Sequence, residues 1–313
     1  MVKILDFFAR RQASARPSAS GGQLAGFVEG FSIEVMPRTA AKVASFADIL
    51  PLGTRVYIAH IDGTPIQEMV ATARRLRDEG FVPMPHFPAR LIADRATLDD
   101  WLARYVGEAG VDQALVLAGG VSTPKGEFDN AMQLLETGAF DAAGLRRLHV
   151  AGHPEGNRDI DPEGGTAAVD AALAWKQAFA ERTDAEMAIV TQFCFEADPV
   201  IAWAERIRAA GIGLPVHIGI AGPAKLQTLI RFAMTCGVGA SLRVLQRRAA
   251  DVTNLVLPHT PDQVLGDLAA HRAANPGFPI QSVHFFPLGG IAATADWARE
   301  ATRRADAPIA LRT

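Results

Sequence analysis

The feature that most constrains the fold of this chain is an alternation of short extended runs with longer helical ones. From residue 31 onward, runs of β-branched or aliphatic residues recur near 31–36, 55–60, 82–87, 112–118, 146–151, 186–192, 215–220 and 281–286. Stretches of helical period lie between them, near 39–49, 65–79, 95–109, 127–137, 164–182, 198–210, 223–234, 262–274 and 291–303. Parallel strands need a crossover long enough to be a helix, so the alternation predicts βαβ units around a parallel sheet. Eight such units in roughly 270 residues, without a linker, fit a single α/β domain, a (β/α)8 TIM barrel, better than a doubly wound sheet. The expected domain is 31–313, preceded by an N-terminal arm at 1–30.

Helix signals agree with this division: Thr64 and Pro65 open the second helical stretch, and Gly80 closes it after Arg74, Arg75 and Arg77. The connection at 235–280 is longer than the others and carries Cys236, Arg243, Arg247 and Arg248, so an extra helix is expected there. Residues 1–30 hold Phe7, Phe8, Arg10, Arg11 and Arg16, with an apolar run too short for a signal-peptide core. They read as a frayed or docking arm, one that could serve a homo-oligomer.

Charge and cysteine usage narrow the partners. With 31 basic against 34 acidic side chains and no dense Lys/Arg block, the chain lacks the footprint of phosphate-backbone binding, so nucleic acid is not expected as a partner. No stretch approaches the roughly 18 apolar residues of a membrane span, so no membrane partner is expected either. The 2 cysteines, Cys194 and Cys236, have neither disulfide-framework nor zinc spacing, a pattern that fits a reducing, cytoplasmic setting.

In a barrel of this kind the working face lies at the carboxyl ends of the strands. Those ends carry Glu34, His60 with Asp62, His86, Gly119 with Gly120, His153, Gln192 and His284. Glu34 is a single carboxylate in an apolar strand, where desolvation raises the pKa and suits the group to proton transfer; a solvent-facing carboxylate paired with Arg38 is the plainer alternative. His60, His86 and His153 are of the right type to hold zinc or iron, but no pair has H-x-H or H-x-x-x-H spacing. Structural or ligand-contacting imidazoles therefore outweigh metal ligands, and a metal-dependent barrel hydrolase stands as the rival enzyme. Gly119 and Gly120 let a flat ring or a phosphate approach the backbone, although a tight turn explains them equally well. Gly237 and Gly239 lack the G-x-G-x-x-G fingerprint and its strand–turn–helix context, so a Rossmann site is not supported.

Five segments, in order and spacing, resemble one family. They are Ser32-Ile-Glu-Val-Met-Pro37, Met84-Pro-His86, Leu117-Ala-Gly-Gly120, Gly152-His-Pro-Glu-Gly156 and Val190-Thr-Gln-Phe-Cys-Phe195. Together they are similar to the methylenetetrahydrofolate reductases, flavin-dependent (β/α)8 barrels, over residues 31–290. The resemblance implies interconversion of 5,10-methylenetetrahydrofolate and 5-methyltetrahydrofolate, with FAD passing hydride between the folate substrate and NADH or NADPH. By position, Glu34 matches the general acid that protonates the folate N10 so that the five-membered ring opens to an N5 iminium. Gln192 matches the residue that hydrogen-bonds the pterin, and Phe195 lies in the same segment, near the packed folate or nicotinamide ring. Flavin contacts fall on His60, His86, Ala118, Gly119, Gly120, His153 and Asn157, with Asp170 and Lys176 on the following helix.

The chain departs from the family at strand 4. Where the family reads Leu-Arg-Gly-Asp, this chain has Leu117, Ala118, Gly119 and Gly120, without the flavin-contacting arginine and the carboxylate beside flavin and pterin. Losing that carboxylate is expected to raise the flavin potential and weaken iminium stabilisation. Asp62, Glu127 and Asp129 are the candidates to replace it. The family's strand-2 Thr is His60 here, and its Tyr and His flanking Pro-Glu are His153 and Asn157. The readings compatible with these departures are a divergent FAD enzyme, which the retained Gly119, His86 and Lys176 favour, an FAD-free relative passing hydride directly from NADH, and a barrel for another one-carbon carrier. The raised potential suits the methyl-oxidising direction in folate recycling. A barrel that only binds folate or flavin is the non-enzymatic alternative, against which Glu34 and Gln192 argue together. Lys225, Arg243, Arg247 and Arg248 could meet a folate polyglutamate tail, although a solvated helix face explains them as well.

Overall fold

A computed structural model describes residues 19–235, 245–246 and 258–303 of the chain. Eight strands, β1 Ser32–Val35, β2 Arg55–Ile58, β3 Val82–Pro88, β4 Gln113–Leu117, β5 Arg147–Gly152, β6 Glu186–Cys194, β7 Val216–Ala221 and β8 Ile280–Phe286, run parallel in chain order. Ser32 of β1 pairs with His284 of β8, closing the barrel. The helices are α1 Gly21–Val28, α2 Pro37–Ala40, α3 Ile66–Asp78, α4 Arg95–Ala109, α5 Ala131–Glu136, α6 Ala139–Ala142, α7 Ala167–Ala180, α8 Ala197–Ala209, α9 Leu226–Thr235, α10 Asp262–Ala274 and α11 Ile291–Arg303. Alternate strand residues such as Ile33, Val56, Val116, Ile189, Ile218 and Val283 belong to one apolar core with helix residues such as Leu76, Leu98, Leu173 and Val200. No helix among the described residues is long and apolar enough to cross a membrane.

All eight expected strands are present, and β6 runs past its expected end at 192 to Cys194. The helix expected at 39–49 shrinks to four residues, Pro37–Ala40. Its would-be carbonyl partners are taken by Arg75 of α3, whose guanidinium donates to Ala40, Val43 and Ala44 at 2.9, 2.6 and 3.2 Å. Glu79 meanwhile accepts from the Phe46 amide at 2.7 Å, so tertiary partners replace the helical ladder. The stretch near 127–137 shortens to α5, and past its end Gly138, with φ of 67°, separates it from a further short helix, α6. Part of the expected arm is helical and docked. Residues 21–28 form α1, opened by a Ser20–Gln23 capping box, and bury Leu24, Phe27 and Val28 in a helix packed on α10 and α11. Cys236, Gly237, Gly239, Arg243, Arg247 and Arg248, where an extra helix is expected, lie outside the described residues.

One irregularity shapes the mouth of the barrel. The β6–β7 register shifts between Val190 and Phe193, a bulge that changes the direction of the Thr191–Gln192 backbone. A Cβ on Gly219 would sit 2.3 Å from the Thr191 carbonyl oxygen and 2.7 Å from that of Gln192. The bulge and the glycine therefore require each other, and Thr191 Oγ1 fixes both by accepting from the Gly219 amide at 2.9 Å. Gly219→Ala is expected to cost about 3 kcal/mol, as overpacking against backbone does. A urea midpoint equal to that of the parent protein would show the bulge to be freely deformable.

Candidate active site

Barrel interiors are ordinarily filled by branched aliphatic side chains, but here a polar layer occupies the middle. The Tyr57 hydroxyl lies 2.5 Å from His149 Nδ1, and its ring centroid stands 4.3 Å from that of His284. Ser32 Oγ is 3.0 Å from His284 Nδ1, and His217 meets the His149 ring at 4.7 Å. Met84, Leu115 and Val190 cluster with Tyr57. Burial disfavours a charged imidazole, so His217 is lowered to about 4, and His149 and His284 fall well below the ordinary value. His284, expected at a strand end, is thus part of this buried polar layer. His149 and His217 were not singled out in the sequence, although strand period two, carried inward from neighbouring positions, would have placed them.

Near this layer sits the Glu34 carboxyl. Its Oε2 lies 3.4 Å from His86 Nε2, so its partner is an imidazole rather than Arg38. Burial raises Glu34 to about 8 and lowers His86 to about 3, which leaves both neutral at neutral pH. A carboxylic acid held in its protonated form where a ligand can reach it is a proton donor.

The loop after β4 is held by a single side chain. Arg90, 9% exposed, donates from Nε to both the backbone oxygen and Oδ1 of Asp129 at 3.0 Å, and from Nη1 to Asp159 at 2.7 Å and the Val121 carbonyl at 3.1 Å. Its backbone amide donates to the Ala118 carbonyl at 2.9 Å. Gly119 adopts φ 98°, and a Cβ there would stand 3.0 Å from Pro88 Cβ, whereas one on Gly120 would meet nothing. Of the carboxylates that could replace the missing acid, Asp129 is engaged by Arg90, Asp62 by Lys125, and Glu127 is exposed.

The neighbouring rim carries the remaining candidates. The His60 ring lies tilted against Trp101 at 4.7 Å, and its Nε2 lies 2.9 Å from the Thr64 carbonyl, which can only accept. Nδ1 is then a bare acceptor, buried and without a hydrogen-bond partner. Asn157 Nδ2 is 3.5 Å from His153 Nδ1, and its Oδ1 accepts from the Asp159 amide at 2.8 Å. Lys176, 7% exposed, donates to the Ala151 carbonyl at 3.0 Å; burial lowers it to about 8 and, together with that ammonium, holds His153 at about 4. Gln192 is half-buried, with Oε1 accepting from the Phe193 amide at 3.1 Å.

Glu34, His60, His86, Ala118, Gly119, Gly120, His153 and Gln192 thus lie in or just beyond the carboxyl-terminal halves of their strands. Asp170 forms an ion pair with Arg206 and accepts from Thr166 Oγ1 at 2.8 Å. Phe195 is 3% exposed, within a second apolar cluster that includes Phe193, Leu226 and Leu229. Among the described residues, no three of His, Cys, Asp and Glu are grouped to hold a metal ion.

No family model matches the chain. Among solved structures it is similar to a mutant tryptophan synthase α-subunit from Pyrococcus furiosus, with 12% identity over 92% of this chain and 96% of that one, at a TM-score of 0.42.

Proposed function

We propose that the chain is an oxidoreductase of the methylenetetrahydrofolate reductase type, interconverting 5,10-methylenetetrahydrofolate and 5-methyltetrahydrofolate. The observation that carries this reading is Glu34, a buried carboxyl held neutral beside the floor of the mouth. In the reductive direction its proton passes to the folate N10, the C–N bond of the five-membered ring breaks, and the N5 iminium so formed is the hydride acceptor. The methyl-oxidising direction of folate recycling uses the same group as a base. Gln192, at the bulge, supplies an amide to the pterin edge.

The residues present fit a flavin. Gly120 leaves an open approach to backbone, His60 Nδ1 is an orphaned buried acceptor, and Lys176 is a buried ammonium with a carbonyl partner, suited to an anionic group. His153 and Asn157 would border the same group, and the chemistry it supplies when bound is hydride carriage between NADH or NADPH and the folate. One observation favours a second reading. Ala118 brings no cation, and the nearby buried guanidinium, Arg90, is taken by Asp129 and Asp159, which suits an FAD-free enzyme with direct hydride transfer from NADH.

An absorbance spectrum of the purified protein with added FAD, followed by anaerobic titration with 5-methyltetrahydrofolate, separates the two. Flavin bands that bleach on adding the folate are expected. NADH oxidation that depends on methylenetetrahydrofolate, with no flavin taken up, would select the direct route, and the absence of both signals would end the folate assignment.

A further inference from the structure

Glu34 has a neighbour whose geometry assigns it a different task from flavin contact. His86 Nε2 is buried, has no hydrogen-bond partner, and lies 3.4 Å from Glu34 Oε2. The His86 side chain is 10% exposed against 20% for Glu34, so the imidazole is the more enclosed of the two and the carboxyl the more open to a ligand. Around the pair stand Tyr57 from β2, His60 from the loop after it and His284 from β8, with Tyr57 meeting the His86 ring edge-on at 6.3 Å. None of these is an acid, so the only carboxyl that faces His86 in this group is Glu34.

We infer that His86 is a positioning residue for the Glu34 proton, present as the Nε2–H tautomer and facing Oε2 while the other carboxyl oxygen carries the transferable proton. This rests on the proposed folate chemistry only for its catalytic consequence. At 3.4 Å the two groups are in contact without forming a hydrogen bond in the ligand-free protein, and such contacts tighten when charge develops in the working complex. When the O–H bond of Glu34 breaks and an N–H bond forms on the substrate, the negative charge is left on the carboxylate. The Nε2–H of His86 then becomes a charge-assisted bond to it, with the imidazole itself remaining neutral and giving up no proton. The interaction is therefore stronger after proton transfer than before, which is the condition for it to accelerate the step.

The test begins with the ligand-free protein. Nitrogen-15 NMR of the histidine side chains is expected to show His86 protonated at Nε2, with that proton moving downfield as Glu34 ionises on raising the pH. The movement should vanish in Glu34→Gln. An unprotonated Nε2, or the same titration in Glu34→Gln, would overturn the inference whether or not the protein turns over folate. In the folate assay, His86→Gln keeps an N–H near the Nε2 position, whereas His86→Leu does not. His86→Leu is expected to lose about 10- to 100-fold in kcat with KM little changed, the size of a hydrogen bond to a charged group, and His86→Gln to recover most of it. Equal losses in both variants would contradict the assignment. Wild-type protein inactive on folate would defeat the proposed function alone, with the NMR result still deciding the tautomer.

Discussion

Lowering the pH from 7 toward 5 is expected to unfold this protein, because its barrel is built around imidazoles that cannot easily accept a proton where they stand. His86 and His217 titrate at about 3 and about 4, His153 at about 4, and His149 and His284 lie well below the ordinary 6.5. In the unfolded chain all five bind protons near 6.5. Below that pH the unfolded state holds more protons than the folded one, so each histidine removes about 1.4 kcal/mol of stability per pH unit. The five together remove roughly 7 kcal/mol per unit. Glu34 acts in the opposite sense: raised from 4.5 to about 8, it holds in the folded state a proton that the unfolded chain has lost, so acidification between those values favours folding. One carboxyl against five imidazoles leaves a net loss of roughly 5–6 kcal/mol per unit below pH 6.5. Set against a total stability of about 5–15 kcal/mol, that brings the unfolding midpoint to roughly pH 5. Urea midpoints followed by circular dichroism from pH 8 to 5 measure it directly, and a flat profile between 7 and 5 would show that the imidazole layer opens to water and protonates without unfolding.

The same layer shows what the sequence could and could not reveal. The eight strands were legible because parallel barrel strands pack an apolar face against helices, so Ile33, Val56, Val116 and Ile189 advertise themselves wherever they fall. Glu34 was legible for the converse reason, as an ionisable group amid such a run. What escaped depends on partners far away in the chain. Arg75 draws off the carbonyls that a helix at 39–49 would have used, and no local period reports that competition. The exception is the Ser20–Gln23 box, a local signal within a segment that otherwise reads as an arm. His149 and His217 lie in the amino-terminal halves of their strands, away from the carboxyl ends that form the barrel's working face. The ion pair of Asp170 with Arg206 joins α7 to α8, a contact between two helices that the spacing within either one does not encode.

Glu34→Gln is expected to reduce methylenetetrahydrofolate turnover by about 100- to 10,000-fold, the range lost when a positioned general acid is removed, while folate binding survives. Glutamine has nearly the shape of the neutral carboxyl and keeps an oxygen that can accept from His86, so neither the cavity nor the polar layer beneath it is disturbed. It has no proton of suitable acidity to give to N10, and without that proton the ring carbon–nitrogen bond has no leaving group. The pH dependence should identify the same group independently. With Glu34 at about 8, the acid form is available at neutral pH, so the reductive rate falls as the pH rises through 8. Oxidation of 5-methyltetrahydrofolate needs the carboxylate and rises through the same value. A single group thus predicts opposite limbs in the two directions, and Glu34→Gln should abolish both. Turnover within tenfold of wild type in that variant, or parallel pH profiles in the two directions, would place the proton donor elsewhere on the rim.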